Sequence, residues 1–324
     1  MKAIRFHKPG GPEVLVFEDV DLPPPAPGQV RVRHGAIGVN FIDTYHRSGL
    51  YPVPGLPSLI GLEAAGTVEA LGANVSALAI GDRVGYCSGP LGAYAQANNV
   101  AADRVVKLPA GVSDEVAAAA LLKGMTAQYL VKRTYAVKAG DTILVHAAAG
   151  GVGLVLCQWA KHLGATVIGT VGARAKLGLA KAHGCDHVIV SREEDTPKRV
   201  RELTGGAGVP VVYDSVGKDT FAASLDSLAV RGLMVSFGNA SGPVPAFEPA
   251  ILNQKGSLYL TRPSLFHYTL TPRELQATAD DLFAVLANGA VKIEVNQRFA
   301  LGDARAAHEA LHGRATTGAT VLTP

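Results

Sequence analysis

The pattern of hydrophobic and polar positions divides the chain into parts of different character. Before Ser113, short apolar runs alternate with polar positions and are bounded by glycine and proline, which is typical of β-strands joined by turns. The predicted strands of this part cover residues 3–6, 30–37, 66–71, 83–86, 93–97 and 104–107. Proline-rich segments at 23–25 and 51–54 predict loops, because proline lacks a backbone donor and restricts the preceding residue. This part predicts a compact domain of β-barrel type.

From Ser113 onwards the pattern alternates between strands and helices. Ser113 supplies a helix cap, and Asp114 and Glu115 place acidic residues before an alanine-rich run, so a helix begins here. Four predicted strands and three predicted helices follow. The strands cover residues 142–146, 165–170, 209–213 and 233–237; the helices cover 152–163 and 175–183 and begin again at Thr196. Repeated strand–helix alternation predicts a parallel sheet with right-handed crossovers.

The end of the chain returns to a mixed pattern. Thr271 and Glu274 form a capping-box sequence that opens a predicted helix reaching about residue 288. A strand at 292–295, a helix from Asp303 and a strand at 319–322 follow. We therefore predict an α/β protein in which a doubly wound sheet at 124–263 is inserted between residues 1–123 and 264–324, which form a second domain.

A glycine-rich loop lies where the first predicted parallel strand ends. The run Ala148-Ala149-Gly150-Gly151-Val152-Gly153 matches the G-x-G-x-x-G pattern with alanine at its first position. Such small residues let the backbone approach a pyrophosphate, which binds at the positive end of the following helix. A glycine-rich string alone is also found in plain tight turns, but the strand–turn–helix context favours dinucleotide binding.

The end of the second predicted strand indicates which dinucleotide binds. NAD-binding proteins place an acidic residue there to accept the ribose hydroxyls. This chain has no acid between Gly169 and Lys176, and it has two cations, Arg174 and Lys176. These cations would attract the 2′-phosphate of NADPH, although a solvated first helical turn is the plain alternative. The sequence therefore favours NADPH over NADH.

Composition and charge exclude several classes of protein. Hydrophobic residues make up 48% and charged residues 18% of the chain, which is unlike a disordered protein. The formal net charge of +3 is spread over dispersed basic residues and does not indicate a nucleic-acid surface. Cys87, Cys157 and Cys185 form no Cys-x-x-Cys pair, which is typical of a reducing compartment. Without a signal-peptide pattern or a long apolar run, we expect a cytoplasmic protein.

Four segments resemble one family. They are His146 to Gly153, Asn40 to Tyr45, Tyr213 to Gly217 and Leu252 to Ser257. Together they are similar to zeta-crystallin-like quinone oxidoreductases of the medium-chain dehydrogenase/reductase superfamily, especially the bacterial NADPH:quinone reductases. The resemblance runs from Phe6 to the C-terminus. It implies a Rossmann domain at 124–263 inserted in a GroES-like catalytic domain, with NADPH and a quinone meeting in the cleft between them.

The resemblance also allows the zinc ligands of the related alcohol dehydrogenases to be checked. Their first cysteine falls on Asn40, the histidine of their Gly-His-Glu motif on Leu62, and their later cysteine on Lys123. Zinc requires nitrogen, sulfur or carboxylate ligands in a near-tetrahedral set, so we predict no metal site. Without a Lewis acid, the substrate must already be electrophilic, as quinones and conjugated enones are.

The resemblance assigns roles to individual residues. Asn40 and Tyr45 are candidate donors to the nicotinamide amide or the substrate carbonyl, and Tyr51 lines the quinone pocket or is merely an exposed loop aromatic. The expected cofactor contacts are Phe41, Ile42, Asp43, Thr44, Tyr129, Gly150, Gly151, Val152, Gly153, Gly172, Arg174, Lys176, Ser191, Ser215, Phe237, Gly238, Asn239, Arg262 and Arg314. Ser191 stands where close relatives often place a tyrosine against the 2′-phosphate. No dedicated general acid is evident, so quinol protons come from Tyr45 or solvent.

Three further expectations remain open at this stage. A predicted strand between Ser257 and Leu260 lies at a sheet edge, which family members pair across a two-fold axis, so a homodimer is expected. An NADPH-dependent enone or enoyl reductase would use the same cofactor site. A nucleotide-regulated RNA-binding or structural protein is the alternative of another class, against which the near-neutral charge argues.

Overall fold

The computed structural model describes all residues from Met1 to Pro324, in two compact units. Unit 1 comprises Met1–Lys123, Thr269–Phe283 and Ile293–Pro324, and unit 2 comprises Gly124–Tyr268 and Ala284–Lys292. Unit 1 thus draws on both ends of the chain.

Unit 1 is built mainly from β-strands. The strands of its N-terminal part are β1 (Lys2–Phe6), β2 (Leu15–Asp19), β3 (Gln29–Val39), β4 (Ser58–Leu59), β5 (Glu63–Leu71), β6 (Arg83–Tyr86), β7 (Ala97–Ala101) and β8 (Val106–Lys107). Its core is formed by alternating apolar positions of these strands, such as Val30, Val32 and Val84, all fully buried. The strands form an antiparallel sheet in the order β2-β1-β4 and most of a larger sheet.

Unit 2 contains a six-stranded parallel sheet. Its strands are β9 (Thr142–Val145), β10 (Thr166–Val171), β11 (His187–Val190), β12 (Val209–Asp214), β13 (Leu228–Ser236) and β14 (Tyr259–Thr261). Their order in the sheet is β11-β10-β9-β12-β13-β14. This is the 3-2-1-4-5-6 order of the Rossmann fold, so the predicted doubly wound sheet is confirmed.

The last two strands complete the larger sheet of unit 1. They are β15 (Val295–Ala300) and β16 (Ala319–Thr323). The sheet order is β15-β16-β3-β5-β6-β8, with β7 also paired to β3. Because β16 pairs antiparallel with β3, the C-terminal strand closes onto a strand that lies almost 300 residues earlier, at the register Thr320 to Val39.

Ten α-helices accompany the strands. They are α1 (Phe41–Ser48), α2 (Asp114–Tyr129), α3 (Gly151–His162), α4 (Leu177–Ala182), α5 (Thr196–Leu203), α6 (Phe221–Ser227), α7 (Ala250–Gln254), α8 (Leu265–Tyr268), α9 (Pro272–Ala287) and α10 (Ala304–His312). The capping box predicted at the start of α9 is confirmed, since Thr271 N donates to Glu274 Oε2 at 3.1 Å and Glu274 N donates to Thr271 Oγ1 at 3.2 Å.

Three strand predictions in unit 1 are wrong or only partly right. The strand expected at 93–97 begins only at Ala97, because Tyr94 exchanges irregular backbone hydrogen bonds with Ile4 and Ile60. The apolar residues at 93–95 are buried in the core, but they do not form a regular strand. The strand expected at 292–295 begins at Val295, where pairing with β16 sets the register. A turn of 3-10 helix replaces the start of the strand expected at 104–107.

Candidate active site

In unit 2, the predicted cofactor residues gather at one edge of the sheet. Gly150 follows β9, Gly172 and Arg174 follow β10, Ser191 follows β11, and Ser215 follows β12. Phe237, Gly238 and Asn239 follow β13, and Arg262 follows β14. These residues lie beyond the carboxyl ends of parallel strands, which is where ligands bind in open α/β sheets, whereas Tyr129 lies at the end of α2.

The start of α3 packs tightly against the loop backbone that follows β9. A Cβ atom added to Gly153 would lie 2.2 Å from the Ala147 carbonyl oxygen and 2.8 Å from Ala148 Cα. Ala147 itself has a φ of 52°, in the left-handed region that favours glycine. Gly150 caps α3, and Gly151, Val152 and Gly153 form its first turn. The loop therefore holds a strained, close-packed backbone whose free amides point from the helix N-terminus.

A buried polar chain lies directly below this loop. Ser224 Oγ donates to Asp214 Oδ2 at 2.7 Å and lies 3.0 Å from His146 Nε2, while His146 Nδ1 lies 3.0 Å from Thr170 Oγ1. Burial lowers the pKa of His146, so the ring is neutral and bridges the two hydroxyl groups. Asp214 Oδ1 also accepts from the backbone amides of Val216 and Gly217. This hydrogen-bonded chain joins the ends of β9, β10 and β12. The sequence pattern did not predict it.

The region assigned to the 2′-phosphate contains an ion pair that the sequence did not predict. Arg174 Nε and Nη2 lie 2.7 and 2.6 Å from Glu193 Oε2. Ser191 is exposed, and its hydroxyl lies 3.3 Å from the Val171 carbonyl oxygen. Lys176 ends the 3-10 turn that starts at Arg174. The two cations and the serine thus share one surface, together with an acid.

The ends of β12, β13 and β14 are tied together. A Cβ atom on Gly238 would lie 2.4 Å from the Ser215 carbonyl oxygen, so only glycine permits this approach. Arg262 Nη1 donates to the Ser236 carbonyl oxygen at 2.8 Å, and Arg262 Nη2 donates to the Asn239 side-chain oxygen at 3.1 Å. Arg262 therefore fixes the strand ends on which Phe237 and Asn239 stand.

Tyr129 lies at the end of α2 and stacks on Tyr268. The ring centroids are 4.4 Å apart with an interplanar angle of 14°, and the Arg133 guanidinium lies 5.0 Å from the Tyr268 ring centroid. Leu130–Thr134 forms a π-helical turn beside this stack. Burial raises the pKa of Tyr129, so its hydroxyl stays protonated. Sequence reasoning missed Tyr268, since no local signal joins residues so far apart.

In unit 1, Asn40 caps α1 and belongs to a buried charged cluster. Asn40 Nδ2 donates to Glu63 Oε2 at 2.7 Å, and Lys123 Nζ lies 3.3 Å from the same oxygen. Glu63 Oε1 accepts from the Leu122 amide at 2.7 Å. These three donors fix the Glu63 carboxylate and, through it, the Asn40 amide.

A second buried chain begins at Asp43 on the next turn of α1. The Tyr94 hydroxyl lies 3.0 Å from both Asp43 Oδ2 and His308 Nε2, and Arg47 Nη1 lies 2.9 Å from His308 Nδ1. Arginine can only donate, so His308 accepts at Nδ1 and carries its proton on Nε2. Burial and Arg47 lower the pKa of His308 to about 3. The chain runs from Arg47 through His308 and Tyr94 to Asp43.

Asp43 is the perturbed group at the end of this chain. Burial raises its pKa to about 7, against hydrogen bonds from the Asn40 amide and Tyr94 that lower it. Its Oδ1 atom is buried and has no hydrogen-bond partner, whereas Oδ2 accepts from Asn40 N at 2.8 Å. This bond is half of a capping box, a signal that could have predicted α1 from the Asn40 and Asp43 spacing.

The proposed substrate residues lie around α1. The Tyr45 and Tyr51 rings meet edge to face with centroids 5.2 Å apart, and Tyr51 N donates to the Tyr45 carbonyl oxygen at 3.0 Å. Phe41, Ile42 and Thr44 occupy the same helix. Arg314 lies in the segment between α10 and β16, away from this helix in sequence, with a φ of 57°. The structure thus brings Tyr45 and Tyr51 together, whereas the Asn40 side chain at the start of the helix contacts Glu63.

Comparisons with known proteins agree with this architecture. The alcohol dehydrogenase GroES-like domain model matches residues 26–110, and the zinc-binding dehydrogenase model matches residues 151–283. A quinone oxidoreductase of Pseudomonas aeruginosa is 56% identical, over 100% of this chain and 99% of the relative. The crystal structure of Escherichia coli quinone oxidoreductase complexed with NADPH is 52% identical, covers 100% of both chains and superposes with a TM-score of 0.98. A 2-haloacrylate reductase of a Burkholderia species is 47% identical, over 99% of this chain and 98% of the relative.

The chain belongs to the quinone oxidoreductase family. It is an oxidoreductase of the medium-chain dehydrogenase/reductase superfamily, and the predicted combination of a GroES-like domain with a Rossmann sheet is confirmed. None of its helices combines the length and the apolar character needed to cross a membrane.

The three positions assigned to zinc ligands hold an amide, an aliphatic side chain and an ammonium group. Asn40 and Lys123 both contact Glu63, and Leu62, the residue before Glu63, is buried. No group of three or more histidine, cysteine, aspartate or glutamate side chains is arranged to hold a metal ion. The Lys123 ammonium is the cation that faces Glu63 here.

Proposed function

We propose that the chain reduces quinones with NADPH. The observation that carries this proposal is the grouping, at the carboxyl edge of the unit 2 sheet, of a close-packed glycine-rich loop and a cationic surface formed by Arg174 and Lys176. The first suits a pyrophosphate and the second suits a 2′-phosphate. The quinone oxidoreductase relatives and the NADPH complex of one of them support the same reading.

The residues of unit 2 fit NADPH. The lack of a side chain at Gly153 lets the first turn of α3 approach the backbone of Ala147 and Ala148, and this packing leaves the first amides of α3 open to a pyrophosphate. Gly150, Gly151, Val152 and Gly153 would bind the pyrophosphate, while Gly172, Arg174, Lys176 and Ser191 would bind the 2′-phosphate. Tyr129, Ser215, Phe237, Gly238, Asn239, Arg262 and Arg314 are the further proposed contacts. When bound, NADPH would supply two electrons and one proton, the equivalent of one hydride ion.

On the substrate side, we assign hydrogen-bond donation to Asn40 and Tyr45. Glu63 accepts from Asn40 Nδ2 at 2.7 Å, which fixes the plane of the amide and orients its second hydrogen. Tyr45 packs against Tyr51 in the second half of α1, and we propose that its hydroxyl stabilises negative charge on a quinone oxygen and delivers a proton to it. Phe41, Ile42, Asp43 and Thr44 build the helix that carries these groups.

The first test is an assay of metal-free protein with chelator present. NADPH and NADH are oxidised in parallel against 1,4-benzoquinone and 9,10-phenanthrenequinone. We expect chelator-resistant oxidation with a higher kcat/KM for NADPH. Tyr45→Phe should lower kcat/KM by about 100-fold if its hydroxyl stabilises charge in the transition state. The matched control is Tyr135→Phe, which removes a hydroxyl that donates to Asp141 Oδ2 at 3.3 Å in unit 2 and has no proposed role at the substrate. No oxidation of either cofactor would overturn the proposal.

A second candidate function is reduction of activated carbon–carbon double bonds. The 2-haloacrylate reductase relative, 47% identical, favours it, and the same nicotinamide chemistry would serve both substrates. Adding 2-chloroacrylate and a simple enone to the same assay separates the two. Turnover of these acceptors without turnover of quinones would move the chain to this class. An RNA filter-binding assay with and without NADPH tests the non-enzymatic alternative.

We further propose that two copies pair through the edge of the unit 2 sheet. Strand β14 is the last strand of this sheet, and Tyr259 on it and Val230 on β13 are 62% and 72% exposed. An edge strand with exposed apolar residues is a ready template for pairing. Light scattering should give the mass of a dimer, and Val230→Glu combined with Tyr259→Lys should give a monomer.

We also propose a cytoplasmic location and retain the predicted domain bounds. The three cysteines are unpaired and buried, as expected in a reducing compartment. Cell fractionation tests the location. Limited proteolysis tests whether residues 124–263 form the dinucleotide-binding domain and residues 1–123 with 264–324 the catalytic domain.

A further inference from the structure

The Arg174–Glu193 ion pair lies on the surface proposed for the 2′-phosphate. Arg174 opens the turn after β10, and Glu193 follows β11, the neighbouring parallel strand. Both guanidinium nitrogens Nε and Nη2 lie within 2.7 Å of Glu193 Oε2. The side chains are 76% and 40% exposed, so the pair is open to solvent and to a ligand. Glu193 raises the pKa of Arg174 through this contact.

The other acids of this segment are engaged elsewhere. Glu194 Oε1 accepts from the Val190 amide at 2.8 Å, and its Oε2 faces Arg199 at 3.5 Å. Asp195 caps α5 by accepting from Lys198 N at 3.0 Å. Glu193 is therefore the carboxylate in direct contact with Arg174.

We infer that Glu193 is a specificity-determining residue that competes with the 2′-phosphate for Arg174 and thereby lowers the preference for NADPH over NADH. This inference rests on the proposed function of Arg174. A bound 2′-phosphate carries close to two negative charges, and its oxygens need the same guanidinium donors that Glu193 occupies. When NADPH binds, its 2′-phosphate either displaces Glu193 from Arg174 or lies close to the negative Glu193 carboxylate. NADH has no 2′-phosphate and meets no such repulsion.

The same carboxylate can assist NADH. Dinucleotide-binding proteins that use NAD accept the ribose hydroxyls with an acid near the end of the second strand. This chain has no acid directly after β10, but the ion pair places Glu193, which follows the neighbouring strand β11, beside that position. Arg174 can bind a 2′-phosphate and Glu193 can bind ribose hydroxyls. Because the two side chains form an ion pair with each other, each is less available to its ligand.

The test compares ligands that differ by one phosphate. Calorimetry measures the Kd of adenosine 2′,5′-bisphosphate and of AMP, and fluorescence measures the Kd of NADPH and of NADH. Because the pair is exposed, we expect Glu193→Gln to lower the Kd of the bisphosphate and of NADPH by about 2- to 5-fold. AMP should be unchanged, and NADH unchanged or weakened. Glu202→Gln is the matched control, since it removes the same charge from another exposed arginine pair, Arg199–Glu202.

A double-mutant cycle separates this inference from the function on which it rests. In an Arg174→Ala background, Glu193→Gln should lose most of its effect on the bisphosphate. If Arg174→Ala weakens the bisphosphate but Glu193→Gln changes nothing, the role of Glu193 is wrong and the phosphate site stands. If neither substitution alters binding and NADPH is not preferred, the proposed phosphate site itself fails. If Glu202→Gln tightened binding of the bisphosphate as much as Glu193→Gln, the effect would come from the net charge of the protein alone. That result would overturn the inference.

Discussion

Lys123 Nζ lies 3.3 Å from Glu63 Oε2, and the two side chains are only 7% and 0% exposed. These residues stand 60 positions apart in the sequence, and both are held in unit 1. A buried carboxylate without a cation is strongly disfavoured, and here both the ammonium and the Asn40 amide contact Glu63 at the base of α1. The pair is therefore a structural support of the proposed substrate-binding helix.

Replacing Lys123 should destabilise unit 1. Lys123→Met leaves the Glu63 carboxylate buried without its cation, and removal of one partner of a buried pair costs about 3–5 kcal/mol. Urea denaturation followed by circular dichroism measures the loss. Adding Glu63→Gln to Lys123→Met should restore part of the stability, because the unpaired charge is then gone.

The matched control for this prediction is Lys107→Met. Lys107 Nζ lies 2.9 Å from Asp82 Oδ2, but this lysine side chain is 58% exposed. Solvent screening makes such an exposed pair contribute far less to the free energy of unfolding than a buried one. Equal losses for Lys107→Met and Lys123→Met would contradict the role given to burial.

Asp43 should make the stability of the protein fall as the pH rises. Burial raises its pKa in the folded state to about 7 from an ordinary value of 3.8, so the folded protein holds a proton that the unfolded chain has released between these values. Asp43→Asn removes this dependence. Between pH 5 and pH 7, the stability of the variant relative to the wild type should rise by about 2–3 kcal/mol. A difference that stays constant across this range would show that Asp43 is ionised when folded.

His34 should act in the opposite direction. It donates from Nδ1 to the Ala95 carbonyl oxygen at 2.7 Å and accepts at Nε2 from Tyr86 at 2.8 Å. Burial lowers its pKa to about 4 from 6.5. Between these pH values His34 is protonated in the unfolded chain but not in the folded protein, so the folded state becomes less stable as the pH falls. The wild type should lose about 2 kcal/mol more than His34→Gln between pH 7 and pH 5, as measured by urea midpoints. If the urea midpoints of the two proteins changed equally between pH 7 and pH 5, His34 would be protonated in the folded state.

Gly153→Ala tests the glycine-rich loop. The new Cβ would lie 2.2 Å from a backbone oxygen that cannot move alone, so we expect a loss of about 1–3 kcal/mol in stability and weaker NADPH binding. Gly178→Ala in α4 is the control, because a Cβ there meets no atom within 4 Å. That change should raise stability by about 0.5–1 kcal/mol, since alanine is a better helix former. Thermal unfolding and NADPH titration measure both variants, and a tolerant Gly153→Ala would rule out the close approach.

The sequence by itself determined most of unit 2. Its strands and helices alternate in short local units, each marked by its own hydrophobic run, cap or glycine, and β9, α3 and β10 lie within a residue or two of their predicted bounds. The capping box at Thr271 and the glycine-rich loop are likewise local, because their residues contact neighbours in the chain. Unit 1 was harder, since strands such as β7 and β15 are defined by their partners rather than by their own pattern.

Only the tertiary structure decided which polar groups meet. His308 contacts Arg47 across 261 positions of the sequence, Tyr129 stacks on Tyr268, and Arg174 pairs with Glu193 on an adjacent strand. Hydrophobic periodicity records whether a position is buried, but not which distant group shares that burial. Sheet register and helix packing make that choice, and with it they set the pKa of Asp43 and the partner of Arg174.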